Sequence, residues 1–213
     1  MIKVSLIFLL FAFIHSITVT HKFKHACKDL FGDTFMRVYY RVLYNAVSAI
    51  TAGMAFYYIH RIPDQQLWIT PLWLRWIMYG VQIFGLVFGA RAFEHLDARE
   101  FMGFKQVRRY LSHREVAGNI EGLTQKELVT SGVYGIVRHP LYFAGIIIFT
   151  FNPYSTVNGL TITILADAYF LFGMFIEERR FVKIFGDQYR EYMKRVPRFI
   201  PRRRRYNEGN LVK

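Results

Sequence analysis

Apolar residues in this chain come in long blocks, and polar residues collect between them. The first block, Val4–Thr20 ("VSLIFLLFAFIHSITVT"), is long enough to cross a bilayer as a helix, which takes roughly 17–25 mostly apolar residues. His15 is its main polar interruption. A basic segment, "HKFKHACK", follows where a signal peptide would carry a small-residue cleavage site, so the block reads as a retained first helix. A second block, Val42–Ile59, ends at "HRIPD". The third, Leu72–Phe93, has Arg75 near enough to its start to snorkel. Leu141–Tyr154 is short and stops at the uncharged turn "NPYSTVNG". The last, Leu160–Ile176, contains Asp167 and ends at Glu177-Glu178. This pattern predicts an all-α integral membrane protein of about five transmembrane helices, the last two forming a tight hairpin. The expected regions are a three-helix membrane part (1–93), a cytoplasmic connection (94–136), the hairpin with a C-terminal helix (137–201) and a basic tail (202–213).

Composition sharpens that picture. The chain is 53% hydrophobic and 18% aromatic, yet its net charge is +13. Such values coexist only because charge and apolar blocks are segregated, as in membrane proteins with basic juxtamembrane loops. The alternative of nucleic-acid binding lacks any zinc spacing, helix-turn-helix grammar or RNA-binding signature, and leaves the apolar blocks without purpose. The single cysteine, Cys27, excludes an internal disulfide and a cysteine-based metal site.

Charge also sets the topology. The segments after block one (Lys22, Lys24, Lys28, Arg37, Arg41), after block three (Arg99, Lys105, Arg108, Arg109, Arg114) and after block five are basic. The other two connections carry little charge or none. By the positive-inside rule the N-terminus lies outside and the C-terminus in the cytoplasm, with a bacterial inner membrane as the expected location. The Arg202–Arg205 run would meet anionic lipid, worth about 1 kcal/mol per charge.

Past the last block, Phe181, Ile184, Phe185, Tyr189 and Tyr192 recur at helical spacing and predict a cytoplasmic amphipathic helix. Gly186-Asp187 would kink or restart it with Asp187 as N-cap, and Pro197 and Pro201 would end it.

Candidate chemistry begins at "RHP". Pro140 suits the first turn of a helix, which places Arg138 and His139 at a helix N-terminus, where free N–H groups and the dipole favour an anion. Taken alone, Arg138 reads equally as a positive-inside anchor and His139 as an interfacial residue. Glu177 and Glu178 read alone as solvated charges balanced by Arg179 and Arg180, or as a binding pair on a helix that continues. A tight hairpin changes the weighing, because it brings both features to one membrane face beside Tyr134, Tyr142, Tyr189 and Tyr192. A zwitterion with an aromatic base and a ribose, such as S-adenosylmethionine, matches that set of groups.

"SGVYGIVRHPLYFAG" followed by "EERRFVKIFGDQYREYMKRVPRFIP" resembles the isoprenylcysteine carboxyl methyltransferase family of integral-membrane methyltransferases over roughly residues 130–201. The N-terminal "HSITVTHKFK", "YRVLYN" and "HLDAREFMGFKQV" look like its bacterial methanethiol S-methyltransferase and NnrU-like branch. The resemblance implies S-adenosylmethionine at the cytoplasmic face, with Arg138 and His139 on its carboxylate. Glu177 and Glu178 would serve ribose hydroxyls or the amino group, Tyr134 and Tyr142 the pocket, and Tyr189 and Tyr192 the lid. The acceptor would be small or lipophilic and enter from lipid, with a thiol preferred over a prenylcysteine-type carboxylate.

On the acceptor side the branch pattern points to Asp97 and to Gly103-Phe104-Lys105-Gln106, where Lys105 stands in place of an arginine. A thiol needs deprotonation, since the thiolate is the nucleophile and a free thiol titrates near ~8.5; Asp97, His95 and His113 are the candidates. No metal ligand set is expected, and no Gly-x-Gly-x-x-Gly supports a Rossmann methyltransferase. The second hypothesis is a non-enzymatic membrane accessory protein of the NnrU type linked to denitrification. His15, Asn45 and Asp167 are polar residues inside blocks, where hydrogen bonding between helices is the alternative to function.

Overall fold

The computed structural model describes residues 1–94, 96–121 and 127–201. His95 and the Arg202–Arg205 run lie outside the described residues. Nine α-helices form among those described: α1 Ile2–Val19, α2 His21–Val38, α3 Tyr40–His60, α4 Leu72–Ala92, α5 Ala98–Met102, α6 Phe104–Leu111, α7 Pro140–Thr150, α8 Val157–Phe185 and α9 Asp187–Arg195. A 3₁₀ turn, Gly132–Gly135, precedes α7.

Among the described residues the fourth apolar block forms a shorter helix, and four helices, α1, α3, α4 and α8, are long and apolar enough to cross a membrane. Only 11–17% of their apolar windows is buried within the protein, so lipid must cover the remainder. The fourth apolar block forms an α7 of only 11 residues, about 16 Å long at 1.5 Å per residue. That falls well short of a hydrocarbon core of ~30 Å. Its early stop has a local cause, because Asn152 precedes Pro153 and that position disfavours helix.

Helix α8 errs in the opposite direction. It runs for 29 residues, and Glu177-Glu178 fall inside it rather than at its end. About 20 residues suffice to cross, so the last two turns project beyond the apolar core and set both carboxylates at its boundary. Gly186, with φ 54°, separates α8 from α9 and is itself the residue flanking both, so Asp187 is the first helical residue and not the cap. The basic stop after α1 is a helix as well: Thr20 caps α2 by accepting from the Phe23 N–H. Gly32, at φ 86°, kinks it.

Packing places α1 against α3 and α8, and α7 between α4 and α8. Small residues allow the closest approach. A Cβ at Gly89 would lie 2.9 Å from the Ala144 Cβ, and one at Gly85 would lie 2.9 Å from Ile147 Cγ2. The pair is a glycine stripe on α4 pressed against α7. Asp167 accepts from Thr150 Oγ1 at 2.7 Å, and Gln82 Nε2 donates to the Ile148 carbonyl at 2.8 Å, so polar contacts also join the bundle. The α3–α4 loop and the α7–α8 turn meet in an isolated β-bridge, Gln66 to Thr156, and in further hydrogen bonds such as Thr70 Oγ1 to the Pro153 carbonyl at 3.1 Å. Trp68, Trp73, Trp76, Tyr57, Tyr58 and Tyr154 are exposed around that end, in the manner of an interfacial aromatic belt.

Candidate functional site at the end of the hairpin

The other end of the bundle holds a buried ionic network. Pro140 opens α7, and His139 is the residue before it. Arg138 donates to Glu178 Oε1 from Nε at 2.9 Å and from Nη2 at 2.6 Å. Its Nη1 donates to the carbonyls of Met193 (3.0 Å) and Val196 (2.8 Å), and its backbone N–H to the Pro197 carbonyl (3.0 Å). One arginine therefore ties the α7 start to the α8 carboxylate and to the end of α9.

Glu178 is shared further. Arg198 donates to Oε2 from Nε at 3.0 Å and from Nη2 at 2.5 Å, and stacks over the Phe175 ring at 4.4 Å. His139 completes the set, with Nδ1 3.0 Å from Glu177 Oε2 and Nε2 3.3 Å from Glu178 Oε1. Burial works against charging that ring, but its bonds to Glu177 and Glu178 outweigh burial and hold its pKa above the ordinary histidine value. Two guanidiniums keep Glu178 a carboxylate. Glu177 differs, being only half-buried, with His139 as its partner.

Aromatic side chains wall the network. Tyr142 packs edge-on to His139 at 5.6 Å, in space that Gly173 leaves open, since a Cβ there would come within 3.0 Å of its ring. Tyr192 donates to the Tyr134 carbonyl at 2.6 Å, fixing α9 over the 3₁₀ turn. Tyr189 and Tyr192 pack with Val196, Phe181 and Phe185. Ile184, expected on the same face, is exposed. The Tyr189 hydroxyl is fully buried with no hydrogen-bond partner among the described residues. Burial, and then the charge of Glu178, push its pKa up, so it stands neutral with a donor to offer. Beside the network, Thr130, Ser131, Gly132, Gly135, Arg195 and Pro197 edge a cavity of about 470 Å³.

All eight residues expected around a cofactor thus lie on the elements that meet here. Asp97 and Lys105 are placed differently. Asp97 is exposed, caps α5 and pairs with Lys105 Nζ at 2.6 Å. Their segment is tied to α3, where Arg41 donates to the Phe101 carbonyl at 2.6 Å and Asn45 to the Met102 carbonyl at 3.2 Å. His113 is exposed and has φ 54°.

Two features escaped the sequence reading. Arg198 was passed over, although it sits between the two prolines of "VPRFIP". A second buried ion cluster joins Glu121 to Lys24 of α2 and, at 2.7 Å, to Arg41 of α3. Burial would raise the Glu121 pKa, but its two cations outweigh that and hold it below the usual carboxylate value.

A helical membrane protein with a cation–carboxylate network at one hairpin end defines a class, and similarity to known proteins narrows it. Residues 4–175 match the family model described as NnrU protein, and the chain belongs to that family. It is 27% identical over 193 residues to methanethiol S-methyltransferase 2 of Bradyrhizobium diazoefficiens, covering 91% of this chain and 70% of the relative. With the methanethiol S-methyltransferase of Pseudomonas deceptionensis it shares 28% identity over 216 residues, 96% of this chain and 74% of that one. A shorter match, 36% over 78 residues, links it to the protein-S-isoprenylcysteine O-methyltransferase of Schizosaccharomyces pombe, covering 35% of this chain and 33% of the relative. No solved structure matches the chain. These kinships make the chain an integral-membrane methyltransferase.

Proposed function

We propose that this protein transfers a methyl group from S-adenosylmethionine to a small or lipophilic acceptor, preferably a thiol, at the cytoplasmic face of a bacterial inner membrane. The observation that supports it most is the buried network joining Arg138, His139, Glu178 and Arg198, with an unpartnered Tyr189 hydroxyl beside it. A buried donor without a partner among the described residues, and a cavity of about 470 Å³ edged by the 3₁₀ turn, Arg195 and Pro197, are in keeping with a polar ligand of nucleoside size.

In this reading Glu177 and His139 meet the ligand directly, on its hydroxyls or amino group and on its carboxylate. Arg138 and Glu178 hold the α7 start, α8 and α9 in register around it. Tyr134 and Tyr142 line the pocket, and Tyr189 and Tyr192 close it from α9. S-adenosylmethionine, when bound, supplies a methyl group on a positively charged sulfur. The chain's own contribution is to align the acceptor in line with that methyl and to exclude water. Helix α7 serves as a short fifth crossing, which leaves the C-terminus cytoplasmic. Asp97 and Lys105 remain proposed for the acceptor side as a separate assignment, checked by the thiol KM of Asp97→Asn.

The test is methylation by the full chain in lipid nanodiscs, with S-adenosylmethionine and a panel of thiols, reading thioether by gas chromatography. Thioether formed by wild type and lost in Glu177→Gln supports the proposal. Cofactor binding without methylation of any thiol would turn the search to carboxylates. Absence of both would favour the accessory role.

A further inference from the structure

Helix α6 is inverted for a helix that faces water. Its buried side chain is the polar one, Gln106, whose Nε2 donates to the Glu100 carbonyl at 3.0 Å. The side chains turned away from the protein are apolar: Phe104 is 61% exposed and Leu111 is 69% exposed. These two share one helical face with half-buried Val107, and exposed Tyr110 borders it. Arg108 flanks the same face, Arg109 lies behind it, and Arg114 follows the end of the helix. Among the described residues none of these three arginines pairs with a carboxylate. An outward apolar face rimmed by free positive charge marks a surface that something other than water covers.

The level of that face is fixed by α3. A helix of 21 residues is about 32 Å long at 1.5 Å per residue, against a hydrocarbon core of ~30 Å, so α3 needs nearly its whole length to cross. Its first turns therefore stand at the edge of the hydrocarbon. The start of α6 is held beside them. Arg41 and Asn45 donate to the Phe101 and Met102 carbonyls, and a Cβ at Gly103 would lie 2.7 Å from the Val42 nitrogen. At the other end of α6, the Tyr110 ring is 6.0 Å from that of Tyr39, the residue just before α3. Both ends of a helix about 12 Å long thus meet the first turn of α3. Helix α6 runs along the membrane surface and not out into water. Leu43 and Val47, on α3 at the same level, are apolar and exposed as well.

We infer that α6 is an interfacial helix, with Phe104, Val107 and Leu111 inserted among lipid chains and Arg108, Arg109 and Arg114 on anionic headgroups. Such helices bury their apolar face about 5–10 Å into the boundary between headgroups and chains. Arginine stems lie along apolar surface while the guanidinium reaches a phosphate, with which it forms paired hydrogen bonds. A partner protein could also cover apolar side chains, but the depth set by α3 puts this face where lipid already covers Leu43 and Val47. The connection between α4 and α7 is therefore partly a lipid-bound element. Asp97 caps α5 and pairs with Lys105 on the first turn of α6, so that pair stands at the lipid edge, open to an acceptor dissolved in the bilayer. The placement of α6 itself depends on no bound methyl donor.

Spin-label accessibility in the full chain tests this, in nanodiscs of anionic phosphatidylglycerol and of neutral phosphatidylcholine. Cys27→Ser removes the one native thiol, and Leu111→Cys carries the label, with Phe104→Cys as the second position should the first fail to fold. Ile83→Cys, on the exposed face of α4, is the lipid reference, and Asp187→Cys, exposed on α9, is the water reference. Collisions with oxygen, which concentrates in lipid, are compared with collisions with an uncharged nickel chelate, which stays in water. The oxygen-to-nickel ratio at Leu111 is expected to be several-fold above that at Asp187 and higher in anionic than in neutral discs. Arg108→Gln combined with Arg114→Gln should bring the anionic value down to the neutral one. A ratio no higher than at Asp187 would overturn the interfacial placement. So would a label shielded from both reagents, which would mean that a second copy or another protein covers the face. A high ratio that ignores lipid charge would overturn the role given to the arginines.

Discussion

Glu178→Gln removes one charge from the centre of the network. In the wild type Glu178 is 4% exposed and takes two bonds from Arg138, two from Arg198 and one from His139. Breaking a buried ion pair on one side costs about 3–5 kcal/mol, because the partner is left charged and out of water. Arg198 softens the loss, since its side chain is 36% exposed and can turn to solvent. Arg138 cannot, being 7% exposed, although the Met193 and Val196 carbonyls still take one of its nitrogens. The glutamine also keeps one oxygen acceptor. The lower end, about 3 kcal/mol, is therefore expected, close to two powers of ten in an equilibrium constant. Calorimetry should show S-adenosylmethionine affinity falling by roughly that factor, with a lower Tm in the same detergent. Arg190→Ala, an exposed residue paired with nearby Asp187, is the control and should change neither. A glutamine variant within about twofold of wild type in both readings would refute the reasoning, since the pair would then carry no net energy.

Further tests reach other parts of the molecule. His139 has its pKa raised on folding, so its contribution is fully present below the unfolded value of about 6.5 and is lost as pH rises through the folded one. The Tm gap between wild type and His139→Gln should therefore shrink as pH rises above about 6.5 in thermal scans; a gap that widens would reverse the assignment. Glu121→Gln strands buried Lys24 and Arg41 and should cost about 3 kcal/mol in unfolding, whereas Glu121→Gln combined with Lys24→Met should recover part of it. Gly89→Leu drives a side chain into Ala144 and should destabilise the protein by about 1–3 kcal/mol, seen as a lower Tm. Tyr192→Phe loses the bond to the Tyr134 carbonyl, about 1 kcal/mol, and should weaken cofactor affinity several-fold by loosening α9.

The apolar blocks were legible because the membrane demands long runs, and α1, α3 and α4 begin and end within two residues of the expected positions. Helix α2 was hidden, since a basic stop and a basic amphipathic helix share one composition; only Thr20, a capping residue, marked its start. The length of α7 was misjudged because hydrophobicity continued through Phe151 while the backbone was broken at Asn152-Pro153. For the site, "RHP" and the glutamate pair were visible as chemistry placed at a hairpin end, and the family resemblance drawn from them holds. Contacts across long separations were not visible. Arg198 meets Glu178 from 20 residues away, and Glu121 meets Lys24 from 97, distances over which no periodicity carries information. The full burial of Glu178 against the half-burial of Glu177 likewise follows from α8 continuing past both residues.

One measurement bears most directly on the account. Wild type, His139→Ala, Glu177→Gln and Arg190→Ala would be titrated with S-adenosylmethionine by calorimetry in one detergent, each first shown to be folded by its thermal transition. The account predicts binding by wild type and Arg190→Ala, with affinity reduced by a factor of ten or more in the other two, each of which removes a charge-assisted hydrogen bond worth about 1.5–3 kcal/mol. Equal affinity in all four, or no binding by a folded wild type, would contradict it.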